Sequence, residues 1–350
     1  MITAILFLLV LSILVFIHEL GHFLLAKLFN IRVDEFAIGF PPRIYGKTYG
    51  ETTYAINALP LGGYVKIHGE NPEDEADVLD KRNFQNASWW KQVLVLVAGV
   101  TFNILFAWVL LSTSLMIGTS KASTLGVPEK YVTGTQTVMI ESVIHKSPAE
   151  TAGITPGEII QSIQGNRITK TTDVQAIIQK ATTSVELITL KGEETKVYSI
   201  APEKKAIGVS LAEVATIRMP LIPAFIYGAH ATYNLTAQLG QGVVNFFGKL
   251  FVGDASWGEV SGPVGIARVV GGASEEGFVA LLFVAALISI SLAIMNILPF
   301  PALDGGRIAI ALVEGIIRKR LNTKFVNVVN TAGFFLLITL MIVVTIKDIF

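Results

Sequence analysis

The chain has 350 residues, 52% of them hydrophobic and only 15% charged, with 27 Lys+Arg against 27 Asp+Glu and no cysteine. Soluble domains carry about 25% charged residues, so this composition points to a membrane protein. Zero net charge leaves no basic excess for phosphates, which argues against nucleic-acid binding, and the absence of cysteine excludes disulfides, thiolate metal sites and a cysteine nucleophile.

Residues 1–17 carry no charge and run through His18-Glu19-Leu20-Gly21-His22 into FLLAKLF, predicting a first transmembrane helix over 1–29. Its start, MITAIL, lacks the basic segment of a secretory signal. HELGH is an H-E-x-x-H motif. Residues four apart share a helix face, so both imidazoles can reach one zinc while Glu19 reaches its water, whose pKa falls toward about 7. Ordinary composition produces this pattern about once in a hundred chains of this length. Ionisable groups inside an apolar helix are expensive and are kept mainly where they serve a site.

Residues 30–91 form the next segment. Tyr54 to Ile67 reads as a membrane-associated β-hairpin turning at Pro60-Leu61-Gly62-Gly63, whose edge Tyr64, Val65, Lys66 and Ile67 is suited to pairing with an extended substrate. The acidic run Glu70 to Asn83 reads as a solvated loop without chemistry. Residues 92–118 are free of charge and predict the second span.

Residues 132–215 alternate in the manner of a small α+β domain, with SPAETAGI and GEIIQSIQGNRI as its core, and resemble a circularly permuted bacterial PDZ domain. That likeness places a peptide groove along Ile207, Gly208 and Val209. Residues 220–252 are apolar but dotted with Gly, Gln, Asn and Thr, which fits an interfacial amphipathic helix better than a span; His230 within it reads as an interfacial or packed histidine and not as a metal ligand.

Residues 277–303 predict the third span, ending in NILPFPALDGG, and 328–349 the fourth. Asp304 is the only acid between Glu276 and Glu314 and follows two prolines, which allow irregular backbone at membrane depth. A hydrolytic zinc takes three protein ligands, and Asp304 is the candidate third. Lys and Arg near the span ends number eleven in the two loops after the first and third spans against four elsewhere, which predicts those loops in the cytosol and both termini and residues 119–276 outside.

HELGH together with NILPFPALDGG, FAIGFPPRIYG, LPLGGYVKIHGE, VAGVTFNILFAW and SGPVGIA resembles the site-2 protease family of intramembrane zinc metalloproteases, in its bacterial RseP-like branch, over nearly the whole chain. The resemblance implies a polytopic α-helical protein of the bacterial inner membrane, with one PDZ domain where enterobacterial relatives carry two. It implies one zinc per chain on His18, His22 and Asp304, Glu19 as general base and acid, and Asn296 holding the substrate backbone. The substrates it implies are single-span membrane proteins such as anti-sigma factors, cut after an upstream site-1 protease, or remnant signal peptides. The rival expectation is a catalytically silent, membrane-anchored PDZ adaptor; a transporter would want an inverted repeat, which the sequence lacks.

Overall fold

The computed structural model describes residues 2–70, 80–119, 129–131, 133, 137–181, 183–192, 194–203, 205–214, 216–253 and 261–350. Residues 71–79 of the predicted acidic loop and the outer limits of the predicted 132–215 domain lie outside them. The chain forms two compact units, Met1–Leu111 with Ala231–Phe350, and Ser112–His230.

Among the described residues, four helices are long and apolar enough to cross a membrane: α1 (Ile2–Leu28), α2 (Trp89–Ile117), α7 (Phe278–Ile297) and α9 (Thr323–Ile349). Each exceeds or matches the 20 residues that about 30 Å of hydrocarbon demands. The charge-free run 277–303 is helical only to Ile297, because Pro299 and Pro301 cannot continue the hydrogen-bond ladder; α8 restarts at Asp304 and runs to Ile317. In the same unit, α6 (Pro263–Glu276) packs on α1 and α7 through Val10, Leu14, Val270, Ala273, Val284 and Ala285. The carboxylate of Asp348, near the end of α9, accepts from the amides of Gly262 (2.9 Å) and Gly265 (2.8 Å) and so satisfies the N-terminus of α6. The long helix α5 (Leu221–Val252) does not reach the apolarity of the four spans.

Between α1 and α2, β1 (Val33–Tyr49) and β2 (Thr52–Ile67) pair as a two-stranded antiparallel sheet that turns at Gly50-Glu51. This corrects the hairpin expected over 54–67. The two arms of that stretch do not pair with each other: Phe36 faces Tyr54 on one side and Val65 on the other, and Ala37 faces Ala55 and Tyr64. The first half of β1 is inserted between them because its apolar residues Val33, Phe36 and Ala37 are buried there, each such side chain contributing up to about 1.5–3 kcal/mol. Gly63–Ile67 is consequently an edge, with no second strand beside it among the described residues. Ile67 and Val33 join Ala26, Ile31, Phe84, Val95, Leu96 and Ile308 in a core that fixes the ends of α1 and α8 against α2. At the sheet's turn Glu51 takes ion pairs from Lys27 (2.8 Å) and Arg82 (2.5 Å), which hold its carboxyl down at about 2.

In the second unit, β3 (Thr137–Val143), β4 (Ile159–Ile163), β5 (Asn166–Arg167), β6 (Val185–Lys191), β7 (Glu194–Ile200) and β8 (Val209–Val214) form a six-stranded sheet in the order β7-β6-β4-β3-β8, with β5 on β4. Two helices accompany it, α3 (Pro148–Thr151) and α4 (Thr171–Lys180). Alternate residues Val138 and Ile140, and Val185 and Leu187, fill one core with Val174 and Ile178 of α4, and a register shift in β4 brings Ile160 and Ile163, three apart, into the same core. Glu158 is wholly buried. Thr155 donates to its carboxylate from N (3.0 Å) and Oγ1 (2.8 Å), Thr189 from Oγ1 (2.6 Å) and Tyr198 from its hydroxyl (3.0 Å).

Candidate metal centre and cleavage site

His18 and His22 stand one turn apart on α1, both buried. Asp304 opens α8 and reaches the same place from the far end of the chain. The Nε2 of His18 lies 2.9 Å from Asp304 Oδ2, the Nε2 of His22 lies 3.4 Å from it, and the two Nε2 atoms are 3.1 Å apart. A tetrahedral zinc with bonds of about 2.0–2.1 Å holds its ligands about 3.3 Å apart, so the triangle already has the right size. The chemistry agrees. His22 Nδ1 lies 2.8 Å from the carbonyl oxygen of Val95, which can only accept, so Nδ1 carries the proton and the Nε2 lone pair points at the other donors. Three lone-pair donors gathered in a buried place repel one another unless a cation stands among them.

Close backbone approach builds this arrangement. A Cβ on Gly99 of α2 would lie 2.5 Å from His22 Nε2 and 2.8 Å from His18 Cε1, and one on Gly21 would lie 2.5 Å from the Ala98 carbonyl oxygen. Only glycine at both positions lets α1 and α2 meet with two imidazoles between them. The glycines of LDGG do the same for Asp304. A Cβ on Gly305 would overlap the Leu298 carbonyl oxygen, and one on Gly306 that of Phe300, so the start of α8 folds tightly onto the loop that leaves α7.

Glu19, His18 and Asp304 line a cavity of about 200 Å3 with Val15, Asn103, Leu292, Asn296, Ala302 and Leu303. The structure thus brings together all five residues expected at the centre: His18, Glu19, His22, Asn296 and Asp304. Glu19 Oε2 accepts from the backbone amide of Val65, 3.1 Å away, so the free edge of Gly63–Ile67 faces the glutamate. Of the neighbouring edge residues, Tyr64 donates its hydroxyl to Glu35 (2.9 Å), Lys66 is exposed and Ile67 is core. In the second unit, Ile207 is 4% exposed and packs in the core, its carbonyl taken by the Ala149 amide, while the Gly208 carbonyl accepts from Ile144. Val209 begins β8, whose outer edge carries no partner strand among the described residues.

Sequence reasoning passed over the carbonyl of Val95, Gly99 and Asn103. For Gly99 and Asn103 the signal was legible in VAGVTFN: a glycine and an asparagine four apart in an apolar helix mark a face packed closely on another helix.

Apolar helices that gather two histidines, a glutamate and an aspartate around one cavity define a membrane-embedded metallopeptidase. The profile of Peptidase family M50, the site-2 proteases, matches residues 6–340, and the chain belongs to that family. It is 38% identical over 349 residues to a protein of Clostridium perfringens, covering 98% of this chain and 97% of that one, and 35% identical to one of Clostridium acetobutylicum, covering 97% and 94%. A protein of Synechocystis is 34% identical, covering 97% and 92%. All three bear the name "putative zinc metalloprotease". The PDZ domain of an SdrC-like protein from Listeria monocytogenes is similar to part of the chain, at 22% identity and a TM-score of 0.20, covering 23% of this chain and 92% of that one. The protein is a zinc metalloprotease of the membrane.

Proposed function

We propose that the protein cleaves single-span membrane proteins within the bilayer, with one zinc per chain held by His18, His22 and Asp304. The observation that carries this reading is the triangle of Nε2, Nε2 and Oδ2 atoms beside Glu19 in a cavity between apolar helices. Zinc there supplies Lewis-acid chemistry and lowers the pKa of a water toward about 7. Glu19 Oε1 would act as general base and acid, taking a proton from the water that attacks the scissile carbonyl and giving it to the leaving amine nitrogen, while the Val65 amide on Oε2 keeps the carboxylate turned to the cavity.

A helical substrate satisfies its own backbone and must unwind to be cut, so it needs replacement hydrogen bonds. The edge Gly63–Ile67 offers them beside Glu19, and Asn296 on the cavity wall offers an amide. Exposed Ile44, Tyr45 and Tyr49 give the sheet an apolar rim suited to a membrane surface. The distribution of Lys and Arg favours a bacterial inner-membrane protein with the zinc site toward the cytosol and both termini outside. We read residues 132–215 as an extracytoplasmic PDZ domain whose unpaired β8 edge binds substrate. The substrates this favours are anti-sigma-factor-like proteins already shortened by a site-1 protease, and remnant signal peptides. The silent-adaptor reading finds no support in a centre that keeps every residue the chemistry uses.

Glu19→Gln decides the matter: the variant is expected to bind zinc as the parent does and to leave a reporter span uncut. Undiminished cleavage refutes the assignment.

A further inference from the structure

The second nitrogen of His18 points to one more residue. If His18 Nε2 gives its lone pair to zinc, a reading this inference rests on, the ring proton must sit on Nδ1 and needs an acceptor. His22 has solved the same problem with the carbonyl of Val95. His18 Nδ1 lies 3.2 Å from the side-chain amide of Asn103. Asn103 is completely buried on α2, and its Oδ1 has no hydrogen-bond partner.

An amide's oxygen and nitrogen ends exchange places by a half-turn about Cβ–Cγ with almost no change of shape. With Nδ2 toward His18, that nitrogen donates to Nδ1 and forces the ring proton onto Nε2, where it would block ligation. With Oδ1 toward His18, Nδ1–H donates to the amide oxygen, Nε2 is free, and the oxygen moves from a place without a donor to one beside a donor. Val95, Gly99 and Asn103 follow one another at four-residue steps, so a single stripe of α2 holds His22, makes room for both rings and holds His18. The backbone carbonyl of Asn103 also accepts from Ser289 Oγ (2.8 Å), which ties that point of α2 to α7.

We propose that Asn103 is a positioning residue for the zinc centre: its Oδ1 accepts from His18 Nδ1–H and fixes the tautomer and ring orientation in which Nε2 binds metal. It acts through His18.

The test uses the full-length protein in detergent, with Asn103→Leu, which removes the acceptor at similar volume, and Asn103→Asp, which keeps it. Zinc affinity is measured by chelator competition, the visible spectrum of the cobalt-substituted protein reports ligand geometry, and thermal unfolding of the metal-free protein reports the fold. Asn103→Leu is expected to bind zinc about 10–100-fold more weakly and to alter the cobalt spectrum, and Asn103→Asp to restore both. Parental affinity and spectrum in Asn103→Leu overturn the proposal, as does Asn103→Asp binding as weakly as Asn103→Leu while both melt like the parent. Should Asn103→Leu fail to fold, Asn103→Asp decides alone, by keeping parental affinity or losing tenfold or more. His18→Ala is the separate control: if it still binds zinc like the parent, the ligand assignment has failed and not the role of Asn103.

Discussion

Changing Gly99 to alanine adds one methyl group at the most crowded point of the centre. The new Cβ would stand 2.5 Å from His22 Nε2, 2.6 Å from His22 Cε1 and 2.8 Å from His18 Cε1, where ordinary contact begins at 3.4 Å. Restoring that distance moves the His22 ring by about 0.9 Å, and the ring cannot swing away freely because its Nδ1 is bonded to Val95 on the same helix as the intruder. Overpacking of this kind costs about 1–3 kcal/mol, and catalytic groups tolerate displacements of only about 0.5 Å. A misplacement near 1 Å costs about 100-fold in rate. Gly99→Ala should therefore lose about two orders of magnitude in cleavage of a reporter span and bind zinc measurably more weakly. Gly272→Ala is the control: its Cβ meets nothing within 4 Å, it lies within α6, and it should be neutral or stabilising by up to about 1 kcal/mol. Reporter cleavage and zinc content of the purified proteins check both. Parental activity and zinc content in Gly99→Ala would show that the rings do not depend on that space.

Asp348→Ala should fray the first turn of α6, at a cost of about 0.5–2 kcal/mol, seen as faster hydrogen exchange at Gly262 and Gly265 with α4 unchanged. Burial alone would raise the carboxyl of Glu158, but the hydrogen bonds from Thr189, Thr155 and Tyr198 outweigh it and hold it below 4.5. Its folded-state pKa is depressed, so its contribution is complete above about pH 4.5 and lost as pH falls below. Hydrogen exchange in β3, β4 and β6 should rise there in the parent, and that acid dependence should be absent in Glu158→Gln. Burial and then the Glu158 carboxylate push the Tyr198 hydroxyl up to about 12 from 10, so its contribution is present below pH 10 and lost as pH rises toward 12. Alkaline exchange in Tyr198→Phe should lose that component. Zinc removal by a chelator should abolish reporter cleavage, and zinc should restore it, with Asp304→Ala failing to recover.

The sequence by itself determined the class of protein and named the candidate groups. Charge-free runs of about 20 residues can bury nothing in water and so declare spans, and HELGH at helical spacing can place two imidazoles on one face whatever surrounds it. LDGG was legible for the same local reason, an acid after a proline-broken helix. The family profile over residues 6–340 agrees with what those motifs imply. What sequence did not reveal depends on pairing between distant residues. Nothing in TTYAINALPLGGYVKI says that Val33–Ile38 will enter between its two halves, since strand partners are chosen by burial across the whole sheet. That Ile207 joins the core of its unit likewise follows only from the sheet that closes over it.

The zero net charge of the chain is likewise only a sum. Tertiary structure decided where its terms stand: Glu51 between Lys27 and Arg82, Glu158 under four hydrogen bonds, Asp348 on the start of α6, and Asp304 carried 286 residues from His18 to within 2.9 Å of it. Composition and spacing fix which groups a chain owns, because those follow from the backbone's own periodicities. Which of them meet depends on close packing, and here that rests on glycines 21, 99, 305 and 306, whose missing side chains let the backbones come near enough for the histidines and the aspartate to converge.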